Sequence, residues 1–290
     1  MPGLAWAVIA GVSFGLSQLF NRGLNREIDA LRATTAMVTS LLGFLVVALF
    51  VTGDLSALPD IPAVAVLWFV AAGLMHFLAG WTMFALSQQR IGPSRTAAIL
   101  SANPVLAAII AWFVLSESLR AITWVGVLAV TTGVAVITTA RLTTGRWTNP
   151  SLALVATLCF SISPVFVRWG LDEFDYALLG LAVGMAFTVP AMHVVSRLYT
   201  GGWVIVPHGV RRWLLGGGMS ALALTAQWTA FSLIPIGVAV SLQQLSTPVV
   251  LFLGPIVLSA PSERATPRLV AGTAMVVAGS ILVALFGRPL

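Results

Sequence analysis

Apolar runs of roughly 20 residues, the length a bilayer core demands of a helix, recur along the whole chain and break at charged or Pro/Gly-rich points. Ten such spans are predicted: Gly3–Phe20, Arg32–Val51, Pro62–Leu86, Pro93–Leu115, Ala121–Ala140, Pro150–Gly170, Tyr176–Tyr199, Trp213–Leu233, Ile236–Leu258 and Thr266–Phe286. Connections are short. The longest, from Thr200 to Arg212, is rich in Gly and Pro, and no soluble domain fits between the spans. Local chemistry marks several starts: Pro62, Pro93 and Pro150 suit a first-turn position, and Thr266-Pro267 reads as a cap followed by a first-turn proline. Pro104 and Pro248 instead fall near the middle of their spans, where each removes a backbone hydrogen bond and frees a carbonyl one turn earlier. Their equivalent depth makes Pro104 and Pro248 candidate hinges, with static kinks that only shape packing as the plainer alternative.

Composition agrees with the pattern, since 59% of residues are hydrophobic and only 8% charged, far outside soluble usage. The net charge of +6 comes from arginine alone, because no lysine occurs. These arginines sit singly or in small groups between apolar runs, which is how topology signals are distributed and not how nucleic-acid surfaces are built. No nucleic-acid partner is expected. Twelve arginines fall in the odd-numbered connections and three in the even-numbered ones and the C-terminus; the positive-inside rule then puts the odd connections in the cytoplasm and both termini outside. The first twenty residues lack a basic leader and read as a first span, not a cleaved signal. Cys159, the one cysteine, lies in an apolar run and reads as a small buried residue.

A stretch from Ala85 to Ile137 returns at Ala230 to Val283. Ala85-Leu86-Ser87, Ile91-Gly92, Asn103-Pro104, Leu115-Ser116-Glu117, Gly126 and Gly133 are answered by Ala230-Phe231-Ser232, Ile236-Gly237, Thr247-Pro248, Leu258-Ser259 with Glu263, Gly272 and Gly279. The chain is therefore read as duplicated, with repeats over 1–141 and 147–290. Five spans per repeat, an odd number, force the second copy into the bilayer upside down. The charges swap accordingly: Arg22, Arg26 and Arg32 outnumber Glu27 and Asp29 after span 1, whereas Asp172, Glu173 and Asp175 outnumber Arg168 after span 6.

In each half a mid-helix proline, an acidic residue after that helix, and two glycines seven apart in the last helix follow in order, and in this the chain resembles the EamA-type branch of the drug/metabolite transporter superfamily, including its bacterial amino-acid exporters. The resemblance spans the whole chain. It implies an all-α membrane protein of ten transmembrane helices, two inverted five-helix repeats around a central cavity, that exports or exchanges small metabolites, amino acids prominent among them. It also implies a multi-pass protein of the bacterial inner membrane with both termini in the cytoplasm, opposite to the arginine count. The intramembrane glutamate used for proton coupling by small four-helix relatives is missing.

Candidate chemistry is sparse. All nine acidic residues fall in connections or at span ends, which removes the ligands for carboxylate-based proton coupling or metal binding. Glu117 and Glu263 read as helix-end charges. His76 is different: it lies near the middle of span 3, where an ionisable group faces a cavity or a partner helix. Helical spacing puts Ala79, Gly80 and Met83 on its face, and the corresponding face of the second half offers Ala221 and Trp228. Trp81, Asn103, Gln227, Gln243 and Gln244 add aromatic planes and amides near the same depth. His76, Trp81, Met83, Asn103, Gln227, Trp228, Gln243 and Gln244 are thus the candidate substrate-binding residues, set against interhelical hydrogen bonding as the alternative for His76 and the glutamines. His193 reads as structural, and Trp6, Trp147, Trp169, Trp203 and Trp213 as interfacial anchors.

Such a pocket suits a zwitterionic or amphipathic metabolite. No Gly-rich nucleotide motif occurs, no cofactor or metal is expected, and the chain is read as a monomer in the lipid bilayer. The expected function is secondary transport by alternating access, as export or facilitated exchange. The alternatives are a multidrug or lipophilic-compound exporter, disfavoured for cations by the lack of a buried carboxylate, and an intramembrane hydrolase pairing Ser13 or Ser17 with His76, for which oxyanion donors are not evident.

Overall fold

The computed structural model describes residues 2–21, 29–139, 150–203, 210–258 and 266–287. Expectations resting on Arg22, Arg26, Glu27, Arg141, Arg146, Trp147, Asn149, Ser259, Glu263, Arg264 and Arg288 lie outside the described residues. The helices are α1 Pro2–Asn21, α2 Ala30–Thr52, α3 Ala63–Ile91, α4 Pro93–Leu100, α5 Asn103–Leu115, α6 Ala121–Thr139, α7 Ser151–Glu173, α8 Ala177–Thr200, α9 Val210–Leu233, α10 Ile236–Gln243, α11 Ser246–Leu258 and α12 Pro267–Phe286. Among the described residues nine spans, counting α4–α5 and α10–α11 as one each, are long and apolar enough to cross a membrane. The remaining expected span, Trp213–Leu233, lies in α9, also helical over 24 residues but diluted by Gly216, Gly217, Gly218, Ser220 and Gln227. The chain is a multi-pass membrane protein, all-helical among the described residues.

Local chemistry explains the ends. Asp29 caps α2 by accepting the Leu31 N–H at 2.8 Å, and Thr266 caps α12 through the Leu269 N–H ahead of Pro267. Between α3 and α4, Gly92 takes φ +86° and ψ 157°, a conformation open to glycine alone. Exposed Phe50, Val51, Phe113, Leu198 and Leu285 turn outward, as lipid-facing side chains do, while hydroxyls such as those of Thr35, Thr157 and Ser241 bond carbonyls four residues back in their own helices.

The threading alternates. At one end Gln89 donates to Asp29 at 2.8 Å and Arg32 bonds both the hydroxyl and the carbonyl of Thr200. At the other, the Ile236 N–H donates to the Glu117 carboxylate at 2.8 Å, Arg168 donates to the Phe231 carbonyl and pairs with Asp172 at 3.2 Å, and Thr123 bonds the Phe286 carbonyl. Among the described residues the start of α2, the end of α3 and the end of α8 thus meet at one end, and the residues around the α5–α6, α7–α8 and α9–α10 connections meet with the end of α12 at the other.

Lipid tails are as apolar as the side chains, so helices associate by close packing. Along α6 and α12 the four glycines of the recurring pattern face one another: a Cβ on Gly133 would stand 2.7 Å from the Gly272 carbonyl oxygen, and one on Gly279 2.7 Å from that of Gly126. On α3, fully buried Phe69 sits where Cβ atoms on Gly170 of α7 and Gly180 of α8 would strike its ring. A Gly133→Ala substitution forces backbone apart and is expected to destabilise by about 1–3 kcal/mol, read as a lowered thermal midpoint in detergent.

Glu117 is half-buried. Burial pushes its carboxyl above the ordinary range, opposed by the Ile236 N–H and by Arg168, with Asp172 adding to the rise. Because the folded value is the higher one, its contribution is complete below the unfolded value and declines as pH rises through the folded one. Glu117→Gln keeps an acceptor for Ile236 without that decline. The variant's thermal midpoint should gain on the wild type's as pH is raised from about 4 to 7.

Candidate functional site

Two spans are broken, not merely kinked. One helix stops at Leu100 and resumes at Asn103, the other stops at Gln243 and resumes at Ser246. Pro104 and Pro248 each fall in the first turn of the resumed helix, where a missing N–H costs no helical bond, so the expected kinks become two-residue turns at Ser101-Ala102 and Gln244-Leu245. Both breaks border one cavity.

Its walls come from five spans: His76 on α3; Asn103 on α5; Phe160, Ser163, Pro164 and Val167 on α7; Leu224, Gln227, Trp228 and Phe231 on α9; Val240 and Gln243 on α10. Its volume is about 30 Å³, and none of the residues on its wall is charged. The His76 Nδ1 lies 2.8 Å from the Ser163 hydroxyl, with its ring 4.9 Å from that of Phe160. The Ser161 hydroxyl donates to the Asn103 amide oxygen at 2.8 Å. Trp228 stacks on Phe69 with ring centres 5.8 Å apart, so the aromatic held among glycines in turn steadies the wall. Gln227 is buried, and neither its nitrogen nor its oxygen has a partner.

His76, Asn103, Gln227, Trp228 and Gln243 are therefore brought together, whereas Trp81, Met83 and Gln244 are not on the cavity wall. The physical reason for Met83 is a π-helical segment, Leu74–Trp81, whose wider turns take more residues per revolution than 3.6 and so turn Met83 off the face that regular spacing assigned to His76. Trp81, expected there by depth alone, packs near Phe77 at 6.1 Å. Gln244 lies in the break, its N–H on the Ser241 carbonyl and its own carbonyl accepting from Thr247. Ser161, Ser163 and Phe160 are the residues that sequence reasoning missed. The available signal was the Ser161-Ile162-Ser163-Pro164 run inside an apolar span.

Other candidates lie elsewhere. His193 Nε2 meets the Thr39 hydroxyl at 2.9 Å. Trp169 packs on Trp68 at 4.7 Å in an aromatic cluster, not as a free anchor, while Trp203 is exposed beneath the Arg197 guanidinium at 4.2 Å. Among the described residues no group of three or more His, Cys, Asp or Glu gathers for a metal.

Residues 1–139 match the model of the EamA-like transporter family. Together with the spans, this defines an all-helical multi-pass membrane protein whose first half is EamA-like. The fold is similar to that of solved structures: one, described only as a crystal structure of a protein, matches with a TM-score of 0.71 over 98% of this chain and 96% of its own, at 14% identity. A comparison with curated proteins finds no match.

The His76–Ser163 bond joins the two halves of the sequence at the cavity. Ser163→Ala takes this partner from the His76 ring, whereas His76→Ala leaves the serine hydroxyl its longer bond to the Phe160 carbonyl at 3.5 Å; each single variant already loses the shared bond, so the double variant should cost less than the sum. A coupling of about 0.5–1.5 kcal/mol in a thermal or chemical unfolding cycle is expected.

Proposed function

We propose that the chain is a secondary transporter that moves small metabolites, amino acids foremost, by alternating access across the bacterial inner membrane, as export or facilitated exchange. The observation that carries this reading is the cavity itself: uncharged donors and acceptors, one amide unpaired, enclosed at the two helix breaks by side chains from both halves of the chain. Broken spans around a mid-membrane site are a recurring basis of secondary transport, and the match of residues 1–139 to a transporter family points the same way.

The two halves, 1–141 and 147–290, act in this proposal as inverted five-helix repeats. Supporting it, helices at equivalent positions are used alike: α1 packs along α9 as α7 packs along α3, and α6 packs on α12. Pro104 and Pro248 serve as hinges, since a two-residue turn flexes more easily than a continuous helix. The cavity as it stands holds no whole amino acid, so the solute enters when one repeat bundle rocks against the other.

Uptake of labelled amino acids into proteoliposomes tests the reading. Saturable uptake of one or several amino acids is expected, reduced at least about tenfold in kcat/KM by Trp228→Ala, which removes a large aromatic wall, and unaltered by a pH gradient. Absence of uptake for every amino acid by folded, reconstituted protein would overturn the substrate class.

A further inference from the structure

The cavity contains one group whose burial has no internal explanation. Gln227 is 3% exposed, lines the cavity, and has neither amide atom bonded. The other buried side-chain atoms without a partner are single hydroxyls of Ser and Thr, which can rotate toward a carbonyl of their own helix. A primary amide has no such recourse, and burying both its ends unpaired is costly. A bound molecule would supply the missing partners.

The second observation is the start of α5. This 13-residue helix resumes at Asn103, and Asn103 lines the cavity. The first N–H groups of a helix have no partner within it, and that end carries partial positive charge. The Asn103 amide meets the Ser161 hydroxyl at 2.8 Å, a hydroxyl whose single proton the Thr157 carbonyl also accepts at 2.8 Å. On the cavity wall there is no Asp or Glu to repel an anion.

We infer that this cavity is a carboxylate site, with the carboxylate of the solute held at the N-terminus of α5 and by the Gln227 Nε2 donor. The Gln227 Oε1 accepts from a donor on the same solute, such as an α-ammonium, and Trp228 and Phe231 cover what remains as the walls part. The inference rests on the transport reading only in taking an amino acid as the solute; a carboxylate site stands or falls by its own measurement.

Purified protein in detergent is titrated with leucine, 4-methylpentanoate, leucine methyl ester, leucinamide and 3-methylbutylamine, and thermal unfolding is followed. The two carboxylates are expected to raise Tm, and the ester, amide and amine to need at least about tenfold higher concentration for the same shift, as loss of charge-assisted hydrogen bonds implies. Gln227→Leu, close in volume and apolar, should raise the Tm of the ligand-free protein and abolish the carboxylate shift. A merely structural glutamine would lower Tm when replaced. The assignment is overturned if the ester or amine is as effective as the acid, if neither carboxylate shifts the folded wild type, or if Gln227→Leu retains the carboxylate shift. A carboxylate shift without leucine uptake into proteoliposomes would uphold the site and remove the transport reading for leucine.

Discussion

Hydrocarbon offers no hydrogen bonds, so every polar group in the spans must be satisfied by the protein or by a cavity. The two helix breaks obey this constraint. At the first, the Ser101 N–H reaches the Ala97 carbonyl and the Ala102 N–H the Ile99 carbonyl; at the second, Gln244 and Leu245 donate to Ser241 and Leu242. Tightened bonds of the three-residue kind close the last turn of each preceding helix. What these turns cannot satisfy faces the cavity through Asn103 and Gln243. Cavity and breaks are thus a single requirement, since irregular backbone at that depth needs polar surroundings and the polar surroundings need side chains such as His76 and Gln227.

Close packing holds those side chains in place. Glycines on α7 and α8 let Phe69 of α3 approach until a methyl group at Gly170 or Gly180 would collide with it, and Phe69 then stacks on Trp228. The Gly126–Gly279 and Gly133–Gly272 contacts serve α6 and α12 in the same way, away from the cavity. Small residues thus do in lipid what the hydrophobic effect does in water, and a wall of the cavity is fixed by packing that begins two helices away.

Helix existence and order were legible because apolar runs of bilayer length leave few alternatives, and Thr266-Pro267 was legible because a cap is local chemistry. His76, Asn103, Gln227, Trp228 and Gln243 stood out as polar or amphipathic side chains inside apolar spans. Ser161 and Ser163 did not, because a serine in a membrane helix ordinarily bonds its own backbone and so gives no direction. The π segment over Leu74–Trp81 was illegible for a different reason. Nothing in Leu-Met-His-Phe-Leu-Ala-Gly-Trp breaks a helix, and the wider turn depends on what packs beside it, with Phe160 against Gly80 and Ser163 against His76. Regular spacing carried through that segment accordingly put Met83 on the His76 face.

Charge is confined to the ends of the described helices. Glu117, Arg168 and Asp172 bind the ends of α5, α7, α9 and α10 into one polar layer, and Arg32 with Asp29 does the same at the opposite end. Between the layers the cavity wall is neutral. A permanent charge there would require a partner or a large desolvation cost; dipolar amides and a helix terminus bind without one. Carrying a net charge through the membrane potential involves about 2.3 kcal/mol per 100 mV, whereas a zwitterion carries none. A neutral wall flanked by charged ends therefore accords best with the proposed reading when the charges of the solute cancel.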